Sequence, residues 1–125
     1  MINDKLLEVI NTLPDAALTI VTNGKRGAHA VNSWNSYIII YSDDTLLIPA
    51  GRMNQTEENI KHNNKALLTL CNREVMGHTY KGTGFLLRGT AEMVYRGEPF
   101  EKIRAKFPWA RAAFMFTISS VEQTL

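Results

Sequence analysis

Short apolar runs separated by turn residues dominate the pattern along this chain. The runs are rich in Val, Ile, Thr and aromatic residues, which suit a pleated, half-buried strand. Asn23 and Gly24 follow the first run and are typical of a hairpin, because both residues tolerate positive φ. The predicted strands cover residues 17–22, 28–31, 37–41, 45–48, 66–71, 85–95 and 113–118.

Three further segments are predicted as helices, and they cover residues 3–10, 57–64 and 99–107. The first and the third place apolar residues three and four positions apart, the spacing of one helical face, whereas the second is predicted from its capping residues. Asn3 or Asp4 can cap the first helix, and Asn54 or Thr56 can cap the second. Helices therefore occur only at the ends and corners of the predicted strand array.

About six strands in short hairpin units favour a mainly β protein in which an antiparallel sheet closes into a barrel, since closure removes exposed strand edges. Gly89 lies in the middle of the long run 85–95 and predicts a bend or bulge that curls the sheet. Helices do not alternate regularly with strands, so a parallel doubly wound sheet is disfavoured. The length of 125 residues predicts one domain, residues 1–125.

Composition narrows the classes of function. The chain is 45% hydrophobic and 21% charged, with a net charge of +2, which suits a small anionic ligand but is too weak to indicate nucleic acid. No apolar run is long enough for a membrane span, and the first residues lack the layout of a signal peptide, so we expect a cytoplasmic protein. Cys71, the single cysteine, lies in an apolar run and is expected to be a buried, inert thiol.

The first candidate binding segment is Val31-Asn32-Ser33-Trp34-Asn35-Ser36-Tyr37. Its Asn and Ser side chains offer hydrogen bonds that could match the N–H and C=O edge of a heterocycle, and its Trp and Tyr offer flat faces for stacking. The same run also fits a strand end with ordinary turn residues and core aromatics. The residues alone favour this structural interpretation.

The second candidate segment runs from Pro49 to Asn59 and has the features of an anion site. Gly51 allows a close backbone approach, Arg52 supplies a guanidinium, and Thr56 supplies a hydroxyl at the start of a helix. A plain capped helix is an equally good interpretation, with Glu57 and Glu58 complementing the helix dipole. Those two carboxylates would also lie awkwardly near a phosphate unless they point away.

The remaining polar residues carry less information. The three histidines are scattered without the spacing of metal ligands, so no metal site is predicted. Trp109 lies on a connection between a helix and a strand, where it could fill the core or cover a ligand. The basic residues of this region are interpreted as a solvated helix face: Lys102, Arg104, Lys106 and Arg111.

Taken together, these motifs resemble one family over essentially the whole chain. The run Asn32 to Tyr37 is similar to one in the small FMN-binding proteins of anaerobic, sulfate-reducing bacteria, which are split-barrel flavoproteins related to pyridoxamine-phosphate oxidase. Three further matches follow in the same order. They are Gly82-Thr83-Gly84-Phe85-Leu86-Leu87-Arg88-Gly89, Trp109-Ala110-Arg111-Ala112-Ala113 and Glu122-Gln123-Thr124-Leu125.

The resemblance implies a six-stranded antiparallel split β-barrel that forms a homodimer and holds one FMN near the interface in each half. It implies that Trp109 packs on or beside the flavin ring and that Leu125 reaches the flavin site of the partner subunit. The isoalloxazine would contact Asn32, Ser33, Trp34, Asn35, Ser36 and Tyr37. The ribityl chain and phosphate would contact Ala50, Gly51, Arg52, Met53, Gln55 and Thr56.

One departure from the family concerns the phosphate. The family has a lysine where this chain has Gln55, and a second glycine where this chain has Arg52, so Arg52 is the expected substitute cation. The predicted function is that of a small electron-transfer flavoprotein with an unidentified redox partner protein. The alternatives are a flavin reductase or pyridoxamine-phosphate-oxidase-like oxidoreductase, an FMN storage or sensing module, and a polyanion-binding protein.

Overall fold

The computed structural model describes residues Met1–Leu125 and contains three α-helices and seven strands. The helices are α1 (Asp4–Asn11), α2 (Asn54–His62) and α3 (Glu98–Lys106). The strands are β1 (Ala17–Gly24), β2 (Gly27–Trp34), β3 (Ile39–Ile40), β4 (Thr45–Ala50), β5 (Lys65–Met76), β6 (Lys81–Val94) and β7 (Ala112–Gln123). A 3-10 helix, Asn35–Tyr37, joins β2 to β3.

All strands belong to one antiparallel sheet in the order β2-β1-β5-β6-β7-β4-β3. The mainly β class and the antiparallel split barrel are confirmed, with seven strands where the resemblance implies six. The sheet does not close completely, because β2 and β3 are edges that share no ladder. The 3-10 helix interrupts the chain between them, so the barrel is split at this point.

The predicted bend at Gly89 is confirmed. The register of β6 on β7 shifts between Arg88 and Gly89. A Cβ atom at Gly89 would come within 2.1 Å of the Thr117 carbonyl oxygen, so only glycine allows this approach of the two strands.

The largest group of buried apolar side chains fills the space enclosed by the sheet and α1, and includes Leu6, Ile20, Leu68, Phe85 and Phe114. Helix α1 begins at the predicted cap, where the Asn3 Oδ1 accepts from the Leu6 N–H at 2.8 Å. Side chains on its inner face close one end of the core.

Helix α3 packs against β4 and β7 through a second, smaller group of buried residues. Ile103 and Phe107 from the helix contact Leu47 and Ala113 from the strands. The Tyr41 hydroxyl donates to Glu98 at 2.6 Å, and this bond to a carboxylate raises the pKa of Tyr41. No helix of the structure has the length and apolar character needed to cross a membrane.

Several local predictions are wrong for identifiable reasons. Residues 37–41 form only the short strand β3, because the 3-10 helix takes up Tyr37. Helix α2 begins at Asn54, and the residue at its N-cap position is Met53 without a side-chain cap, in place of Asn54 or Thr56. The polar tail after residue 118 continues as β7 to Gln123, because it pairs with β6.

Cys71 is also misplaced by the sequence analysis, since its thiol is exposed. In β5 the side chains of Leu70 and Asn72 point to the buried face, and Cys71 lies between them. The two-residue period of a strand therefore directs the thiol outward.

Candidate functional site

A cleft of about 270 Å³ lies between the end of β2 and the loop that follows β4. It combines three separate stretches of chain: the second hairpin strand, the β4–α2 connection, and the segment between α3 and β7. Its lining residues are Val31, Asn32, Ser33, Trp34, Tyr37, Pro49, Gly51, Arg52, Met53 and Trp109.

An aromatic cluster forms one wall of the cleft. The Tyr37 ring lies 5.8 Å from the Trp109 ring and 5.0 Å from the Phe107 ring, between centroids. Phe107 is buried beneath α3 and anchors the other two rings, while Trp109 is 53% exposed. A Cβ atom at Gly51 would lie 3.2 Å from the Trp109 Cζ3, so the glycine lets the indole lie against the loop. Flat apolar faces are thus held rigidly at the edge of the cleft.

Most polar side chains of the 31–37 run bond to the protein itself. The Asn32 amide donates to the Leu18 carbonyl at 3.2 Å and to the Thr19 hydroxyl at 3.1 Å. The Ser36 hydroxyl donates to Asp15 Oδ2 at 2.6 Å, and the Ser36 N–H donates to Asp15 Oδ1. These bonds fix the end of β2 and the start of the 3-10 helix.

Asn35 is buried and lies on the α1 side of the sheet rather than in the cleft. Its amide donates to the Cys71 carbonyl at 3.0 Å and to the Val9 carbonyl at 3.4 Å. The Val9 carbonyl belongs to the last turn of α1, which has no partner within the helix. Asn35 therefore satisfies the end of α1, and this matches the structural interpretation of the run for this residue.

The loop after β4 and the first turn of α2 differ from the 31–37 run, because two of their polar side chains have no partner in the protein. The Arg52 guanidinium is exposed and makes no hydrogen bond or ion pair. Thr56 is fully buried in the first turn of α2, and its hydroxyl has no hydrogen-bond partner. A buried hydroxyl without a partner in the protein is costly, which makes it a candidate for a bond to a ligand. The Asn35 Oδ1 is the other buried side-chain atom without a partner.

The Gln55 side chain, in contrast, is bonded within the protein. Its amide donates to Asn59 Oδ1 at 2.8 Å, and the Asn59 amide donates to the Thr22 hydroxyl at 3.1 Å. Asn59 lies against Gly24, where a Cβ atom would come within 2.0 Å of its Oδ1. This chain of bonds fastens α2 to the end of β1.

Arg111 is the functional candidate that sequence reasoning missed. It is not part of a solvated helix face, since it lies between α3 and β7 and its side chain crosses to the β4–α2 loop. It donates to the Gly51 carbonyl at 2.8 Å and forms an ion pair with Glu57 at 3.2 Å. The Tyr95 hydroxyl also bonds to Glu57. The Glu57 carboxylate is thus paired with a cation, which lessens the conflict with an anion foreseen from the sequence.

Leu125 lies in another part of the chain, beside the β5–β6 turn. Its carbonyl accepts from the Thr83 hydroxyl at 2.8 Å and from the Gln123 amide at 2.9 Å, while its side chain is exposed. It contributes to two adjoining cavities of about 590 and 310 Å³, which it shares with Cys71 and Thr124. Their size exceeds that of the cleft, but neither contains a residue of the 31–37 or 49–56 segments.

Eight of the fourteen predicted site residues therefore line one cleft, and six do not. The eight are Asn32, Ser33, Trp34, Tyr37, Gly51, Arg52, Met53 and Trp109. The six are Asn35, Ser36, Ala50, Gln55, Thr56 and Leu125. Ala50 is buried in the β4–β7 ladder opposite Ala112, and Thr56 is buried in the first turn of α2, three residues after the cleft residue Met53.

The fold agrees with the comparisons to known proteins. Residues 2–123 match the family described as pyridoxamine 5'-phosphate oxidase, and the chain belongs to that family. A relative from Nitratidesulfovibrio vulgaris (strain Miyazaki F), named FMN-binding protein, is 43% identical over 111 residues, which cover 89% of this chain and 90% of the relative.

Solved structures show the same fold at low sequence identity. HupZ from Group A Streptococcus is 19% identical with a TM-score of 0.78, covering 98% of this chain and 94% of that one. An FMN-binding protein from Syntrophomonas wolfei is 15% identical with a TM-score of 0.71, covering 94% and 82% of the two chains. These likenesses establish the architecture of this protein.

The residues present fit a flavin mononucleotide in kind. Aromatic faces beside a cleft suit a planar ring, and the free Arg52 guanidinium with the unpartnered Thr56 hydroxyl suits a phosphate. Bound flavin supplies one- and two-electron redox chemistry, while the protein orients the ring and controls its access to solvent.

Proposed function

We propose that this protein binds one FMN per chain, non-covalently, in the cleft between β2 and the β4–α2 loop. The observation that carries the proposal is a cleft with an aromatic wall and the free Arg52 guanidinium, followed in the chain by the unpartnered, buried Thr56 hydroxyl at the start of α2. The name of the 43% identical relative supports the choice of FMN. The phosphate lies by Arg52 and Thr56, and the ring lies by Trp34, Tyr37 and Trp109.

The active form is a homodimer in this proposal, with Leu125 of a second copy completing the flavin site. Within one chain the cleft of about 270 Å³ is smaller than ligand pockets usually are, roughly 300–1,000 Å³, so in this proposal a further surface covers the ring. Three hydrogen bonds hold the Leu125 carbonyl, so the exposed leucine side chain is presented from a fixed backbone. Such an anchored apolar group is well suited to insertion into a partner.

We further propose that the bound flavin carries electrons between redox partner proteins in the cytoplasm. Arg52 is the only charged side chain that lines the cleft, and no carboxylate or imidazole lines it. General acid–base catalysis on a substrate uses such groups, so this lining favours a carrier over an oxidase. The exposed edge of Trp109 leaves the ring side of the cleft open to a partner.

The colour of the purified protein is the first test. A yellow protein that releases FMN in a one-to-one ratio to chain supports the binding proposal, and a colourless protein that takes up no added FMN overturns it. Reduction by a protein electron donor, without consumption of NAD(P)H or formation of pyridoxal phosphate, supports the carrier role. Turnover of either compound supports the enzyme alternatives instead, and light scattering with the Leu125→Lys variant tests the dimer.

A further inference from the structure

The backbone of the Gly51–Met53 loop has an unusual conformation. Met53 has φ 55° and ψ 35°, and it is the only residue other than glycine with positive φ. A left-handed residue with a long side chain persists only where its surroundings impose that conformation. Loops of this type, with successive N–H groups on one side, form concave sites for anions.

Arg111 is the group that imposes the conformation. Its Nε donates to the Gly51 carbonyl at 2.8 Å and to the Arg52 carbonyl at 3.2 Å. Its Nη2 also bonds to the Arg52 carbonyl, and it donates to Asn54 Oδ1 at 3.2 Å. Two consecutive carbonyl groups of the loop are thus held by one planar guanidinium.

These bonds determine where the loop N–H groups point. In a trans peptide the C=O and N–H groups lie on opposite sides. Carbonyls of Gly51 and Arg52 that face Arg111 therefore turn the N–H groups of Arg52 and Met53 away from it. Neither of these two N–H groups donates to any acceptor of the protein. The loop consequently presents free donors on the side opposite Arg111, immediately before the first turn of α2.

The position of Arg111 is itself rigid. Its own N–H donates to the Ala50 carbonyl at 2.9 Å, at the end of the ladder between β4 and β7. Glu57, which Tyr95 also binds, holds the far end of the guanidinium at 3.2 Å and 3.3 Å. A side chain fixed at both ends can determine the shape of the loop that it binds.

We infer that Arg111 is a positioning residue for phosphate recognition: it orients the Gly51–Met53 peptides so that their free N–H groups receive the phosphate monoester of FMN. Each nitrogen of its guanidinium bonds to at least one protein acceptor, so in this inference it acts through the loop rather than by contact with the anion. This inference rests on the proposed FMN site. It gives the reason why that site would bind FMN more tightly than riboflavin, which has no phosphate.

The test compares binding of FMN and of riboflavin, which lacks the phosphate, to the flavin-free full-length chain. In Arg111→Gln and Arg111→Lys we expect the ratio of FMN to riboflavin affinity to fall about tenfold or more, because lysine keeps the charge but not the planar fork of donors. Riboflavin affinity should change by less than about threefold, which also shows that the variants are folded.

Two further variants serve as controls. Arg104→Gln removes an exposed cation of α3 that lies over the Phe100 ring and should leave the ratio unchanged. Glu57→Gln removes the ion pair but leaves the bonds to the loop carbonyls, so it should lower the ratio by no more than about threefold. Amide NMR provides a direct readout: FMN, but not riboflavin, should shift the Arg52 and Met53 amide protons downfield.

Three results would overturn the inference. An unchanged ratio in both Arg111 variants would show that the loop keeps its shape without the guanidinium. An equal loss of both ligands would show that Arg111 supports the fold as a whole. Absence of FMN binding by the unaltered chain would remove the proposed function and this inference with it, and that result differs from the first two because no variant is involved.

Discussion

The two polar segments of the cleft, residues 31–37 and residues 51–56, look alike in the sequence and differ in the structure. In the first, Asn32, Asn35 and Ser36 all bond to other parts of the protein. In the second, Gln55 bonds to Asn59, but the Arg52 and Thr56 side chains have no partner in the protein. In the first, the Asn35 Oδ1 is the one buried side-chain atom without a partner. The difference indicates that the first segment supports the fold and supplies aromatic surface, whereas the second keeps polar groups available for a ligand.

This division follows from the chemistry of the two ends of FMN. A planar, largely apolar ring is held well by shape and stacking, which rigid aromatic residues provide. A phosphate needs several oriented donors and a compensating charge, and these are useful only if the protein does not satisfy them itself. We therefore expect substitutions in the two segments to affect different properties.

The largest expected effect is on stability, from Asn35→Leu. The substitution leaves the Cys71 carbonyl without its side-chain donor and weakens the capping of Val9, so the free energy of unfolding should fall by about 2–4 kcal/mol. Denaturant unfolding of the flavin-free protein measures the change. Asn32→Ala, whose bonds are partly exposed, is the control and should cost less than half as much. A normal stability with weakened flavin binding would place Asn35 in the ligand site and end the distinction between the segments.

The next effect is on affinity, from Arg52→Ala. A charge-assisted contact contributes about 1.5–3 kcal/mol, and solvent exposure of Arg52 places the loss near the lower value, about tenfold in the dissociation constant of FMN. Riboflavin affinity and stability should not change. Isothermal titration with both ligands measures this. Equal FMN affinity in the variant and the parent would remove Arg52 from the phosphate site.

Thr56→Val should weaken FMN binding less than Arg52→Ala does. Its effect on stability should be opposite in sign to that of Asn35→Leu. The valine keeps the shape but removes a buried hydroxyl that has no partner, so the flavin-free protein should be as stable as the parent or up to about 1 kcal/mol more stable. FMN binding should weaken by about 1 kcal/mol, roughly fivefold. Thr22→Val is the matched control, because its hydroxyl already accepts from Asn59 and its loss should destabilise the protein. A destabilised Thr56→Val variant would contradict the availability of this hydroxyl.

The smallest effect concerns the redox properties, from Trp109→Ala. The apolar indole beside the cleft disfavours the additional negative charge of reduced flavin, because a charge is costly to desolvate. Replacing it should raise the midpoint potentials while FMN remains bound, as measured by spectroelectrochemical titration. If the proposed dimer forms, Leu125→Lys should raise them as well, by placing a positive charge near the ring. Unchanged one-electron potentials in both variants would exclude this tuning.

Much of the fold could be predicted from the local pattern of residues. Short β-branched runs, the cap at Asn3 and the bend at Gly89 each depend on neighbouring residues or on one backbone position, and all three are confirmed. Errors occurred where long-range pairing overrides local preference. The polar residues after position 118 form a strand because they pair with β6. Tyr37 belongs to the 3-10 helix between β2 and β3 and not to the predicted strand.

The candidate site shows the same limit. The aromatic and glycine residues of the cleft could be recognised because their chemistry is intrinsic to the residue type. Whether each polar side chain is free to bind a ligand could not be predicted, because that depends on whether a residue distant in the chain bonds to it. Arg111 lies 60 positions from Gly51 in the chain, and no spacing rule connects the two.

The sequence by itself determined the strand content, the family to which the chain belongs and the set of residues from which a flavin site could be built, because periodicity and motifs are local properties. Tertiary structure alone decided which of those residues share a cleft, which are used up as internal hydrogen-bond partners, and that Arg111 governs the loop. The physical reason is that burial and hydrogen-bond satisfaction depend on neighbours in space, and the β4–β7 ladder brings those neighbours together.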